Sequence, residues 1–238
     1  MGNRGITILL PTLDEAKALR NVVNRIPFDE ISADGWIIRI VVVDGGSTDG
    51  TLELAKELNC QIIQQHGGTG KGRGLREAFA NFIEANDSVL VMMDADGTYR
   101  PEEIPNLIRT LDEKKADIVI GSRMKGWIEN GAMTRRNWVG NHILTWMAVF
   151  IHRTYISDLC TGFWVLTKNS IEQMKLNSIG FEIEAEMYAS AAYNKLKICE
   201  IPIHYDRRIG SSKLGSIGDG VRIATKIIRR RFVRKPIS

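Results

Sequence analysis

The sequence predicts an α/β fold: a doubly wound, mostly parallel sheet flanked by helices. Three observations carry that expectation. Short β-branched, apolar runs alternate with stretches of helical period across residues 5–121, and the connections between them are short. A polar cluster follows each of four of the expected strands, on the edge where such sheets bind ligands.

The elements follow in order. Ile6–Leu10 is the first strand; Thr12 and Glu15 have the spacing of a capping box, and Leu19, Val22, Val23 and Ile26 recur at helical intervals. Ile37–Val43 is a second strand, ending in the turn Asp44-Gly45-Gly46-Ser47. Leu52, Ala55 and Leu58 mark the next helix, with Ser47 or Thr48 its expected N-cap. Cys60–Gln64 is a short strand, followed by the glycine-rich stretch Gly67–Gly74 and a helix carrying Leu75, Phe79 and Phe82. Ser88–Met93 is apolar throughout, as a strand covered on both faces would be. It ends at Asp94-Ala95-Asp96-Gly97. A helix is expected after Pro101, with Leu107, Ile108 and Leu111 on its apolar face, and Asp117–Ile120 is another strand. Beyond Met124 the alternation lapses; a helical stretch covers Asn141–His152 and a last strand Ile198–Tyr205. No repeat or low-complexity linker interrupts the chain, so residues 1–218 read as one domain and 219–238 as an appended basic, amphipathic helix.

Composition narrows the function. Of 238 residues, 44% are hydrophobic and 25% charged, which argues against disorder. The three cysteines, Cys60, Cys160 and Cys199, are far apart and form no CxxC pair; neither a zinc site nor a disulfide framework is expected, and a reducing, cytoplasmic compartment fits. Ile6–Leu10 is too short for the apolar core of a secretory leader. The strongly apolar run Ile143–Ile151 has nine residues, against the ~20 of a bilayer span. Seven basic residues and no acidic ones lie between Arg222 and Lys235; subtracting these seven from the net charge of +4 leaves −3. The body is therefore mildly acidic, and nucleic acid is not an expected partner.

Asp94-Ala95-Asp96 is the first chemical candidate. Two carboxylates two residues apart at the end of a buried strand repel unless a cation sits between them, and oxygen ligands suit Mg²⁺ or Mn²⁺. The bland alternative is a solvated turn. Asp44–Thr51 is the second: its glycines permit close approach of a ligand, and Asp44 suits hydrogen bonds from a nucleoside, with Ser47–Thr51 mainly structural. Gly67–Gly74 invites phosphate-loop readings that fail. A P-loop would need glycine where Gln65 stands and Ser or Thr where Gly72 stands, and a dinucleotide pattern meets Arg73 or Leu75 in place of its third glycine. Lys71 and Arg73 remain candidates to meet a diphosphate.

Taken in order, Pro11–Glu15, Val43–Thr51, Gly70-Lys71-Gly72, Asp94-Ala95-Asp96, Gly121-Ser122-Arg123, Asp158–Phe163, Gly180–Glu186 and Arg207–Leu214 resemble the motifs of family-2 inverting glycosyltransferases of the GT-A fold. The later motifs are similar to those of the polyprenyl-phosphate glycosyltransferases. The resemblance implies transfer of a hexose from a nucleoside-diphosphate sugar, GDP-mannose or UDP-glucose, to a polyprenyl or dolichyl phosphate. It implies donor contacts from Pro11, Leu13, Glu15, Val43, Asp44, Gly45, Asp94, Ala95, Asp96 and Arg123. It implies a metal on Asp94 and Asp96, with Thr98 completing the shell, and catalytic roles for Asp96, Arg123 and Lys213. Arg123, Arg136, Arg207 and Lys213 are its phosphate-binding candidates. The chain departs from the family pattern at Leu13, where an aromatic is common, at Gly45, where a second Asp is common, and at Trp164, where a basic residue usually borders the acceptor groove.

A phosphate monoester has a second pKa of roughly 6, so such an acceptor is already a nucleophile and none of His66, His142, His152 or His204 is needed as a base. Among Glu182, Glu184 and Glu186, Glu182 is the first choice for the sugar hydroxyls; Asp158 would orient the sugar or cap the turn before Gly162. On a helical wheel Val221, Ile223, Ala224, Ile227, Ile228 and Phe232 oppose Arg222, Lys226, Arg229 and Arg230, the pattern of a helix lying in an anionic membrane surface. Ile143–Ile151, with Trp146 and Phe150, is a second candidate. Both segments also suit helices packed on the domain. A peripheral enzyme on the cytoplasmic face of a membrane is expected, with room for a membrane-embedded partner. Two other readings stay open: the same fold acting on a soluble hydroxyl acceptor, which needs a general base, and a nucleotide-sugar-binding module without catalysis.

Overall fold

The computed structural model describes residues 4–210 and 217–233. Strands β1 (Arg4–Thr12), β2 (Trp36–Asp44), β3 (Gln61–Gln64), β4 (Asp87–Met92), β5 (Ile118–Ile128), β6 (Trp164–Thr167) and β7 (Ile198–Tyr205) form one seven-stranded sheet in the order β3-β2-β1-β4-β6-β5-β7. The helices are α1 (Ala16–Asn24), α2 (Phe28–Ala33), α3 (Thr51–Glu57), α4 (Lys71–Glu84), α5 (Ile104–Lys114), α6 (Arg135–His152), α7 (Lys168–Gln173), α8 (Ile183–Tyr193) and α9 (Ile217–Phe232). Only β6 runs against its neighbours, pairing antiparallel with both β4 and β5.

The alternation of side chains along β1 and β4 builds a core on each face of the sheet. Ile6, Ile8, Leu10, Val89, Val91 and Met93 pack with α1, α2 and α5, while Leu9, Leu90 and Met92 face α4 and α8. Both faces are covered, which is why these strands read as continuous apolar runs.

The structure departs from the sequence reading at three places that matter for the site. β6 has no counterpart in the sequence reading, because it lies beyond Met124 where the strand–helix alternation lapses, and its identity comes from being wedged between β4 and β5. Trp164 on β6 is fully buried, its indole Nε1 donating to the Thr161 carbonyl at 2.8 Å, so it borders no acceptor groove. The Thr12–Glu15 capping box does not form, because Thr12 ends β1 and its hydroxyl donates to Asp44 at 3.1 Å.

The start of α1 is held instead by the loop after β2. The Glu15 N–H donates to the Thr51 hydroxyl (2.9 Å), the Ala16 N–H to Asp49 (3.0 Å), and the Thr48 N–H returns the bond to Asp14 (2.8 Å). Neither Ser47 nor Thr48 caps α3, whose N-cap is Gly50 at φ +91°. These polar residues cross-link two loops at one sheet edge and fix their spacing.

Candidate active site

The carboxyl end of β4 delivers Asp94 and Asp96 to that edge, and cations from elsewhere in the fold meet both. Lys71, at the start of α4, places its ammonium 2.7 Å from Asp94 Oδ1 and 2.7 Å from Glu184 Oε1 on α8. Its place there follows from the glycine-rich stretch. A Cβ on Gly70 would collide with the Ile179 carbonyl, and one on Gly72 would lie 2.8 Å from that of Ser178. The glycines therefore seat α4 against the segment leading into α8; they do not form a phosphate loop. Gly162 plays the same part opposite, since any Cβ there would overlap the Asp94 carboxylate.

Asp96 is 2% exposed; its Oδ1 accepts from the Thr98 N–H (2.9 Å) and hydroxyl (2.5 Å), and its Oδ2 pairs with the Arg208 guanidinium. Arg208 also reaches Glu15 at 3.5 Å, bridging the loops after β1 and β4. Burial alone would raise the Asp94 carboxyl, but Lys71 holds it below the usual carboxylate range. Burial and the adjacent Asp94 charge push the Asp96 carboxyl up, against the pull of Arg208 and Thr98. Burial would lower the Lys71 ammonium, and the two carboxylates around it more than offset that.

The donor set suits a hard divalent cation. Two carboxylates share one edge, and each already faces a positive group at hydrogen-bond range. Among the described residues no group of three or more His, Cys, Asp or Glu side chains is set to hold a metal, and Glu184 meets the cluster through Lys71, so the remaining ligands would be phosphate oxygens and water, the usual arrangement for Mg²⁺. Thr98 turns its hydroxyl onto Asp96 and orients it; it does not face outward as a ligand.

Several expected site residues are committed elsewhere. Asp44 is spent on its own loop, accepting from the Gly46 and Ser47 N–H groups (2.9 Å each), the Ser47 hydroxyl (2.5 Å) and Thr12. These four bonds engage both of its carboxylate oxygens. Asp158 is fully buried and accepts from the Arg123 N–H (2.9 Å), Nε (2.8 Å) and Nη2 (2.7 Å) and from Asn141 (2.8 Å); these bonds hold β5 to α6 and do not cap the turn before Gly162. Arg123, 7% exposed, spends Nε and Nη2 on Asp158 and stacks 5.1 Å from the Tyr205 ring centroid. Glu182 folds back onto the Ile179 and Gly180 N–H groups at 3.1 and 3.2 Å, and it is Glu184 that enters the cluster. Arg207 points away, its N–H bonding Glu129 (2.8 Å) and its Nε the Asn130 carbonyl (2.7 Å). Arg73 turns to the Gly67 carbonyl, and Arg136 lies exposed on α6. Lys213 lies outside the described residues. Pro11, Leu13 and Gly45 are half-buried along the edge, and Val43 and Ala95 are buried beneath it.

The profile of Glycosyl transferase family 2 matches residues 7–174, most of the chain. The chain belongs to that family. This glycosyltransferase is 36% identical to "Glycosyltransferase AglJ" of Haloferax volcanii, over 98% of this chain and 74% of that protein. It is 34% identical to the dolichol-phosphate mannosyltransferase of Pyrococcus furiosus, over 88% of this chain and 59% of that one. A third relative, the UDP-N-acetylglucosamine–dolichyl-phosphate N-acetylglucosaminyltransferase of Methanococcus voltae, is 27% identical over 99% of this chain and 98% of its own length. Among solved structures, glucosyl-3-phosphoglycerate synthase from Mycobacterium tuberculosis, in complex with Mn²⁺, UDP and phosphoglyceric acid, superposes with a TM-score of 0.73 at 18% identity. That match covers 99% of this chain and 80% of that one, and it establishes the GT-A fold of this glycosyltransferase.

Among the described residues no helix is long and apolar enough to cross a membrane.

Proposed function

We propose that this family-2 glycosyltransferase moves a hexose from a nucleoside-diphosphate sugar to a polyprenyl phosphate, inverting the anomeric centre, at a membrane surface. The observation that carries the reading is the clustering of Asp94 and Asp96 with Lys71, Arg208 and Arg123 at one sheet edge. An edge where carboxylates and cations are paired off suits a metal-bound diphosphate, because the ion takes the carboxylates and leaves the cations to face phosphate oxygens. Asp94 and Asp96 would hold Mg²⁺ or Mn²⁺, which supplies Lewis-acid charge to a departing diphosphate.

The chain's own residues supply the rest. Lys71 keeps Asp94 ionised, and Glu184 keeps Lys71 in place. Thr98 fixes the rotation of the Asp96 carboxylate. Arg123, paired with Asp158, adds positive charge near Asp94, and Lys213 is offered as a further phosphate ligand; Arg207 is not, being turned to Glu129 and Asn130. A polyprenyl-phosphate acceptor also agrees with how the carboxylates of the cluster are engaged among the described residues. The buried carboxylates near the cluster, Glu184 and Asp158, are each held in an ion pair, and a hydroxyl acceptor would need one released.

Membrane contact is supported by α6, which leaves a stripe of large apolar side chains in solvent while its other face packs on the core. Asn141 and Thr145 point inward to Asp158, Leu159 and Cys160, while Val139, Ile143, Trp146 and Phe150 line the outside. Incubation with Mg²⁺ or Mn²⁺, labelled GDP-mannose or UDP-glucose and a short polyprenyl phosphate should move label into the organic extract. Asp96→Asn should cut that transfer by roughly 10²–10³-fold, as loss of one strong electrostatic stabiliser does. Folded protein that leaves all label in the aqueous phase would refute the reading.

A further inference from the structure

Arg208 lies in the motif Arg207–Leu214, but the sequence reading gives it no role, and in the structure it holds one of the two carboxylates. Its guanidinium pairs with Asp96 Oδ2, the outward oxygen of the buried carboxylate, and lies 3.5 Å from Glu15 on the neighbouring loop. The backbone on both sides of it is pinned. Ahead of it, the Asp206 N–H donates to the Thr98 carbonyl at 2.8 Å, and the Asp206 carboxylate takes a two-pronged bond from Arg100, 2.7 Å on each arm. Behind it, the Ile209 N–H donates to the Asp96 carbonyl at 2.9 Å, and the Ile209 side chain packs on Gly97, where a Cβ would come within 3.0 Å. The Arg208 backbone is therefore fixed over the Asp96–Thr98 loop, and only its long, quarter-exposed side chain is free to change partners.

From this geometry we infer that Arg208 is a built-in counter-cation: it occupies Asp96 when no metal is bound, competes with the divalent ion for that oxygen, and transfers to the donor's diphosphate when ion and donor bind together. The inference rests on the proposed metal role of Asp94 and Asp96. A divalent ion cannot share Asp96 Oδ2 with a guanidinium, because their like charges repel at contact distance. An ion arriving alone must displace Arg208 and leave it only Glu15. An ion arriving with a diphosphate offers the guanidinium two phosphate oxygens in the fork geometry it prefers. Metal binding should then be weak without nucleotide and strong with it, and the exchange needs a rotamer change of one side chain, not movement of a loop.

The test is binding of Mn²⁺ itself, followed by the paramagnetic resonance of the free ion, for the wild type and for Arg208→Gln, Arg208→Lys and Arg109→Gln. Arg109 pairs with Glu30 at 3.0 Å on another face, so its variant controls for net charge. Without nucleotide, Arg208→Gln should bind Mn²⁺ about tenfold more tightly, the factor lifted when a competitor that fills a site about ninety per cent of the time is removed. Arg208→Lys, which keeps the charge, should stay near the wild type, as should Arg109→Gln. With GDP or UDP present, Arg208→Gln should lose most of the further tightening that nucleotide gives the wild type. Equal or weaker Mn²⁺ binding by nucleotide-free Arg208→Gln would overturn this inference while leaving the metal site standing. A wild type that binds no Mn²⁺ even with nucleotide would overturn the metal site, and this inference with it.

Discussion

The ion pair of Arg123 and Asp158 shows how a residue near the chemistry can be structural first. Asp158 is wholly enclosed, and its carboxylate accepts three bonds from Arg123 and one from Asn141. Burial would lower the Arg123 guanidinium, and Asp158 holds it well above its ordinary value instead. Removing one partner of such a pair strands a buried charge, at a cost of about 3–5 kcal/mol. Asp158→Ala should therefore lower the thermal midpoint by about 10 °C with no ligand present, read by calorimetry. An unchanged midpoint with a raised KM for the donor would instead restore Asp158 to the sugar. The motif around Asp158 is legible in the sequence and its partner is not, because Arg123 is 35 positions away and the two meet only once β5 is in the sheet. Arg207 and Arg208 pose the same difficulty at closer range. They are adjacent beyond the end of β7, they turn to opposite partners, and no periodicity in the sequence says which one faces Asp96.

At the scale of elements, α9 keeps part of its predicted amphipathic character and reassigns the rest. Ile223 and Ile227 are buried against α6 and α8, whereas Val221, Ile228 and Phe232 are exposed. The basic face is not all solvated: Glu186 on α8, fully buried, draws in Lys226 and Arg230, each at 3.4 Å. His152 at the end of α6 completes the seam, its Nε2 lying 3.0 Å from the Ile227 carbonyl, with Arg230 and Arg231 facing it and Tyr188 edge-on. Burial lowers the His152 pKa, the carbonyl bond opposes that, and the two arginines add to it. The unfolded chain then binds the proton more readily than the folded one. The seam's contribution is complete above the model-peptide value near 6.5 and is lost as pH falls through the folded value below it. Urea melts at pH 7.5 and 5.5 should show stability falling on acidification, with a smaller fall in His152→Gln; identical pH dependence in the two proteins would refute this. Strands and helices of the first half are legible because a sheet covered on both faces writes long apolar runs. The capping of α1 by Asp49 and Thr51, and the insertion of β6, are tertiary and leave no local signature.

For the whole molecule, the decisive feature is helix α6, which carries large apolar side chains on its outward face as well as on the face packed against the core. Ordinary surface helices keep the outward face polar; α6 buries Ala148 and packs Leu144 and Met147 on the core beside Asn141 and Thr145, yet Ile143 is 61% exposed, Trp146 71% and Phe150 57%. Trp146 stacks on Phe150 at 5.8 Å, and the positions 139, 143, 146 and 150 fall on one face at helical spacing. Such a stripe has no folding role, since its burial was never gained, and it marks a surface for apolar contact. A lipid interface suits it better than a protein groove. Tryptophan favours that depth, Arg135, Arg136 and Arg153 are exposed at the two ends of the helix, and the packed neighbour α9 adds exposed Arg229, Arg231 and Phe232. Each basic side chain near an anionic leaflet contributes about 1 kcal/mol. The double variant Ile143→Glu, Trp146→Glu should reduce co-sedimentation with phosphatidylserine vesicles by at least about tenfold, the loss of one to two large apolar insertions. Its thermal midpoint should stay where it was, because both side chains are already in water. Transfer to a short, water-soluble polyprenyl phosphate should persist, while transfer to a long one embedded in vesicles should fall in step with binding. Undiminished vesicle binding, or a shift from dimer to monomer in place of a loss of lipid affinity, would assign the stripe to a second protein chain instead.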